Sequence, residues 1–191
     1  MTSWHPPELN GSGTNKHYLK TQIRAELLKK RRLLTLEQKS TSEQLITKQV
    51  TNLKEWQKAS KIGVYWPICS ELSTITLINQ IITSPKLCYL PKIHGENMGF
   101  VRFNGLVELE PNPLGFHEPK GDISNDKIDI IILPAVGLSQ DGQRIGYGKG
   151  FYDKYLKNSP ALRVGIGYRC QEFSAEIHEE WDQKCDYVLF A

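Results

Sequence analysis

Ten residues, Arg144-Ile145-Gly146-Tyr147-Gly148-Lys149-Gly150-Phe151-Tyr152-Asp153, bring together side chains suited to phosphate chemistry. Glycines at three alternate positions remove every second Cβ, so backbone N–H groups can approach a ligand and adopt φ > 0. If Phe151 to Leu156 opens a helix, its free N–H groups and positive dipole end face the same ligand. Arg144 and Lys149 add cations, and Asp153 adds one oxygen ligand. Free amides, two cations and a carboxylate are what a phosphate–Mg²⁺ group requires. The segment is not a Walker loop: Gln143 stands where that loop has its first glycine, and Gly150 replaces its Ser/Thr. A dinucleotide fingerprint starting at Gly146 would need glycine where Phe151 stands. Glycines alone would equally describe a bare turn between strand and helix; the flanking charges favour phosphate.

The elements that must position this segment can be read from the hydrophobic pattern. Ile128 to Pro134 is nearly all β-branched, as expected for a central parallel strand buried on both faces. Lys61 to Trp66, Lys86 to Ile93, Arg163 to Tyr168 and Asp186 to Phe190 read as further strands. Lys16 to Leu34 reads as an amphipathic helix with Leu19, Ile23, Leu27 and Leu34 on its apolar stripe. A second stripe carries Lys20, Arg24 and Arg31. Like charges at i,i+4 repel, so Lys20 and Arg24 invite an anionic partner, although a charge run is more often a solvated face. Leu36 to Gln57 reads as a second helix, with Leu45, Ile46, Val50, Leu53 and Trp56 inward, and Leu72 to Ile82 as another. Asn104-Gly105, flanked by Phe100–Phe103 and Leu106–Leu109, carries a hairpin signal. Strands alternating with helices predict an α/β fold, a three-layer α/β/α single domain with a mostly parallel sheet.

The length of 191 residues fits one domain with a substantial core, and 39% hydrophobic with 24% charged residues is ordinary for a globular chain. A net charge of +3 is too small to argue for nucleic acid. Cys69, Cys88, Cys170 and Cys185 form no C-x-x-C pair, which points to reduced thiols in a cytoplasmic protein. No apolar run approaches the ~20 residues of a membrane span. Residues 1–15, with Pro6-Pro7, Asn10-Gly11 and Gly13, read as a flexible extension without the apolar centre of a signal peptide. His117, alone in a loop, reads as a surface residue. No Ser-His-Asp or Cys-His constellation is evident.

Pro134 followed by Gly142-x-Arg144-x-Gly146-x-Gly148-Lys149-Gly150-x-Tyr152-Asp153 resembles the signature of the 5-formyltetrahydrofolate cyclo-ligase family. The resemblance runs from about Lys20 to the C-terminus. It implies ATP- and Mg²⁺-dependent conversion of 5-formyltetrahydrofolate to 5,10-methenyltetrahydrofolate, by phosphorylation of the formyl oxygen and attack by N10. On that pattern Lys20, Arg24, Arg144, Gly146, Gly148, Lys149, Gly150 and Tyr152 hold ATP, with Lys149, Arg144 and Tyr152 catalytic. Trp66, Glu71, Tyr147, Gly148, Lys149, Gly150 and Phe151 hold the folate, Glu71 by accepting pterin N–H groups. Asp153 and Asp182 hold Mg²⁺; taken alone, each reads as a cap or turn residue, and Glu71 as an acidic helix start. Phe116-His117-Glu118-Pro119 resembles the family's Glu-Pro segment, and Gln171 is a residue the family also tends to carry. Two positions depart from the pattern: Ser139 stands where Asp is common and Phe151 where Tyr is commoner. The expected partners are ATP and 5-formyltetrahydrofolate, with no nucleic acid and no membrane, and the chain is expected to act as a monomer. Two alternatives remain at this level: another ATP-dependent kinase or ligase on a similar sheet, and a nucleic-acid module using the basic first helix.

Overall fold

Ile130 and Ile132 face one side of the sheet and Ile131 and Leu133 the other, and all four are buried. In the computed structural model, which describes residues 14–105, 108–112 and 115–191, they form the central strand β6 (Ile130–Leu133). Around it stand β1 (Lys61–Val64), β2 (Leu87–His94), β3 (Asn97–Phe103), β9 (Leu162–Gly167) and β10 (Tyr187–Phe190), in the order β10-β9-β6-β1-β2-β3. Every neighbouring pair is parallel except β2 with β3. This is the expected α/β fold in one domain, with an antiparallel strand at one edge.

One face of the sheet is covered by α2 (Leu36–Thr51), α3 (Lys54–Lys58) and α4 (Ile75–Ile82), whose Ile46, Val50, Trp56, Leu77, Ile78 and Ile81 meet Ile62, Val64, Ile130 and Ile132. The other face packs Tyr89, Phe100, Ile131 and Leu133 against Leu156 of the short α5 (Phe151–Leu156). The long α1 (Thr14–Arg32) buries Ile23 and Leu27 in a third cluster with Val136, Ile145, Phe173 and Ile177.

Several boundaries differ from the sequence reading. The first helix starts at Thr14, inside the expected extension; residues 1–13 of that extension lie outside the described residues. The single helix expected over Leu36–Gln57 is two. Thr35 and Gln38 close a capping box at the start of α2, Asn52 ends it, and Leu53, with φ −63° and ψ 137°, turns the chain into α3. Leu45 points outward at 45% exposure.

The hairpin lies upstream of its expected place. His94 pairs with Asn97 across Gly95-Glu96, with Gly95 at φ 58°. A glycine at the first central position is the mark of a type II′ turn. Leu106 and Val107, on the far side of Asn104-Gly105, lie outside the described residues, and the next strand, β4 (Leu109–Pro111), pairs with β5 (His117–Pro119) instead.

β1 and β6 are neighbours, but the chain leaves β1 towards β2 on one side and β6 towards β9 on the other. Open α/β sheets bind ligands in the crevice at the carboxyl ends of such a pair.

Candidate active site

Leaving β1, the chain runs Tyr65-Trp66-Pro67-Ile68-Cys69-Ser70-Glu71. Ile68 C=O accepts the Glu71 N–H at 3.0 Å, and Glu71 Oε2 accepts the Ile68 N–H at 3.0 Å. Tyr65 ties down the residues after this turn, its hydroxyl donating to Leu72 C=O at 2.6 Å and its carbonyl accepting Thr74 Oγ1 at 2.7 Å. These bonds delay the helix to Ile75, so Glu71 belongs to a tight loop and is not the acidic helix start that was the alternative. Glu71 is 8% exposed. Burial raises its pKa to about 7, against the opposing pull of the Ile68 N–H, the Arg31 charge and the Tyr147 hydroxyl. Trp66, half-buried, meets the Phe103 ring edge-on at 6.2 Å.

Leaving β6, the chain passes Pro134 and makes a small hairpin of β7 (Gly137–Leu138) and β8 (Arg144–Ile145) before the glycine segment. Two-residue strands have no readable periodicity, and sequence reasoning missed both. Ser139 accepts the Gln143 N–H at 3.0 Å and donates to Asp141 Oδ1 at 2.5 Å, so this departure from the family pattern closes the hairpin turn. Gln171 is fully buried and donates to Ala135 and Val136 C=O at 2.6 and 3.0 Å, pinning the chain where β6 ends.

The glycine segment then bends through Gly148 at φ 95° and Gly150 at φ 69°, left-handed values that favour glycine. Gly150 is the residue from which α5 starts. Lys149 is exposed and makes no hydrogen bond or ion pair among the described residues. Arg144 is anchored by Asp153 Oδ1 at 3.0 Å and lies over the Tyr152 ring at 5.5 Å. Its Nε is buried without a partner among the described residues. Burial, then the Glu71 charge, drives the Tyr152 hydroxyl pKa well above its ordinary value.

The basic stripe of α1 turns inward. Lys20 Nζ bridges Glu179 Oε2 at 2.5 Å and Asp182 Oδ2 at 2.6 Å. Arg24 Nε donates to Gly146 C=O at 2.8 Å, and burial lowers its pKa. Arg31, 1% exposed, donates to Tyr147 Oη at 2.6 Å. This stripe is therefore no outward-facing patch.

All of these loops open on one cavity of about 590 Å³. Its lining holds every residue that the family resemblance assigned to ATP, folate or Mg²⁺: Lys20, Arg24, Trp66, Glu71, Arg144, Gly146, Tyr147, Gly148, Lys149, Gly150, Phe151, Tyr152, Asp153 and Asp182. It also holds residues that sequence reasoning missed, among them His17, Pro91, Ile93, Met98 and Glu179. His117 sits in β5, not a loop, and lines the same cavity. Glu118 beside it is buried, its Oε1 accepting the Ile93 N–H at 2.9 Å, which fastens β5 to β2.

The sequence model of the 5-formyltetrahydrofolate cyclo-ligase family matches residues 16–191. A 5-formyltetrahydrofolate cyclo-ligase of Haemophilus influenzae is 34% identical over 171 residues, covering 84% of this chain and 91% of that protein. The mouse 5-formyltetrahydrofolate cyclo-ligase is 29% identical over 188 residues, covering 90% and 93%. Among solved structures, the 5,10-methenyltetrahydrofolate synthetase of Aquifex aeolicus superposes with a TM-score of 0.80 at 30% identity, covering 90% of this chain and 89% of that one. The synthetase of Mycoplasma pneumoniae, at 24% identity and a TM-score of 0.71, shares the fold. The matched span takes in both β-strand ends and the glycine segment between them, and the chain belongs to the 5-formyltetrahydrofolate cyclo-ligase family.

Proposed function

We propose that this protein uses ATP and Mg²⁺ to convert 5-formyltetrahydrofolate to 5,10-methenyltetrahydrofolate, releasing ADP and phosphate. The observation that carries this is the shared cavity, in which a lysine on a glycine bend, without a hydrogen bond or ion pair among the described residues, and a buried carboxylate beside Trp66 open on the same space. A phosphate needs the first and a pterin needs the second.

Glu71, when ionised, accepts N–H groups of the pterin, and Trp66 offers it an aromatic wall. Phosphoryl transfer to the formyl oxygen converts that oxygen into a leaving group. N10 then attacks the formyl carbon, and phosphate departs as the methenyl bridge closes. The formyl oxygen is a weak nucleophile, so the chain's contribution is alignment and charge. Lys149 reaches the transferring group from the glycine bend, while Arg24 and Arg144 are held by Gly146 C=O and by Asp153. Tyr152 shields Arg144 from water on its ring face.

Asp153 and Asp182 fit a magnesium ion. Each uses one oxygen within the protein, Asp153 Oδ1 for Arg144 and the Gln183 N–H, and Asp182 Oδ2 for Lys20 and the Glu179 N–H. The second oxygen of each is without a hydrogen bond among the described residues, and one or two carboxylates with substrate phosphates are the usual Mg²⁺ set. When bound, the ion neutralises charge on the phosphates.

The burial of Lys20 and Arg31 counts against a nucleic-acid surface on α1. Mixing the protein with MgATP and 5-formyltetrahydrofolate should generate the methenyl chromophore with one ADP per turnover. ADP release without chromophore, or with unrelated acceptors, would point to a different ATP-dependent kinase or ligase.

A further inference from the structure

Arg31 has no part in phosphoryl transfer or ring closure, yet it is among the most deeply buried side chains, at 1% exposure. Its apolar neighbours Ile23 and Leu27 already seat α1, so a cation is not needed to hold that helix. Its contacts lie elsewhere. Nε donates to Ser70 Oγ at 3.0 Å, Nη1 to Ala135 C=O at 3.2 Å and Nη2 to Tyr147 Oη at 2.6 Å. These are the loop after β1, the chain end after β6 and the glycine segment. One planar guanidinium thus ties together the three segments that carry the folate and phosphate residues, a geometry that an ammonium cannot reproduce.

We propose that Arg31 is a positioning residue of the folate site: it fixes Tyr147 against Glu71 and holds Glu71 in the charged form that accepts substrate N–H groups. The proposal rests on Glu71 as the pterin carboxylate. Arg31 donates to Ser70, the residue before Glu71, and to the Tyr147 oxygen, so the guanidinium and the Tyr147 hydroxyl are both held beside Glu71, where each favours the carboxylate. The groups facing Glu71 are Arg31 from α1, Tyr147 from the glycine segment, Tyr65 after β1, Tyr152 of α5 and Tyr168 after β9. Cys69 faces Tyr147 in turn. Arg31 is the cation of the set, opposing the burial that favours the neutral acid.

The test is the Glu71 titration midpoint, read by carboxyl ¹³C NMR, with 5-formyltetrahydrofolate affinity measured by calorimetry without ATP over the same pH range. In Arg31→Met the midpoint is expected to rise by about one pH unit, which weakens folate binding about fivefold near pH 7 and less at higher pH. Arg31→Lys, which keeps the charge, should hold the midpoint close to that of the wild type. If Arg31→Met does not fold, Tyr147→Phe decides, since it removes the hydroxyl that Arg31 orients and should also raise the midpoint. An unmoved midpoint in Arg31→Met, or in Tyr147→Phe where that variant decides, even with a lowered melting temperature, would make Arg31 a scaffold residue and overturn the proposal. A moved midpoint in a protein that binds no 5-formyltetrahydrofolate would leave the Arg31–Glu71 link standing and remove the folate function instead.

Discussion

Lys149 and Glu71 serve one cavity under opposite constraints. Lys149 is exposed and makes no hydrogen bond or ion pair among the described residues, so its loss should not disturb the fold. Lys149→Ala is expected to keep its melting temperature within a degree or so while kcat falls by about 10²-fold or more, the range for deleting one charge-stabilising donor. Stopped-flow detection of the methenyl product alongside calorimetric melting would check both halves. Glu71 is held where a charge is costly. In the native protein it keeps its proton up to about pH 7, against 4.5 as its ordinary value. Between those values the native state binds more protons than the unfolded chain, so stability falls as pH rises through the window. A shift of that size corresponds to about 3 kcal/mol. Glu71→Gln should therefore resist urea better than wild type at about pH 8, by up to ~3 kcal/mol, and match it near pH 4. The same substitution should weaken folate binding at the higher pH. A variant no more stable at high pH would mean that Glu71 does not carry the buried charge assigned to it.

Elements place these side chains, and they differ in how far the sequence disclosed them. β6 and α5 were readable because a β-branched run and a glycine-to-helix junction are local signals. The split between α2 and α3 was not, since it turns on one extended residue, Leu53. The hairpin was assigned to Asn104-Gly105 because that pair is the stronger turn signal. The pairing of β2 with β3 over seven residue pairs instead selects Gly95-Glu96. For Lys20 and Arg31 the sequence displayed a basic helix stripe, which is normally solvated. Their partners stand 159 and 162 residues away for Lys20, and 39, 104 and 116 for Arg31. Spacing within a helix carries no information at that range. The glycine bend was legible as such, and its conformation gives an element-scale test. Gly150→Ala forces a Cβ onto a left-handed residue, which costs about 1–2 kcal/mol. It should lower the melting temperature by a few degrees and also depress kcat, because α5 carries Tyr152 and Asp153. Gly150→Asn, which tolerates that conformation better, should recover most of the stability.

At the scale of the whole molecule, the sheet order puts the ends of β1 and β6 side by side, and both halves of the cavity hang from them. A ligand bridging these loops stabilises the whole domain by linkage. On the proposed function, MgATP at about 100 times its Kd should add about 2.7 kcal/mol, or roughly 5–10 °C in Tm for a chain of this size. Asp153→Asn should abolish the Mg²⁺-dependent part of that rise, as scanning calorimetry with ATP in the presence and absence of Mg²⁺ would reveal.

The Lys20 bridge to Glu179 and Asp182 has a consequence for how the protein is made. One turn earlier, Lys16 donates to His178 C=O at 2.8 Å. A nascent chain that has not yet been extended past residue 182 leaves Lys20 without its pair of acids, and β10 is still missing from the sheet. Translation thus delivers the Lys20 cation early and the two carboxylates that restrain it late, so the cavity acquires its finished charge balance only as synthesis reaches those last acids.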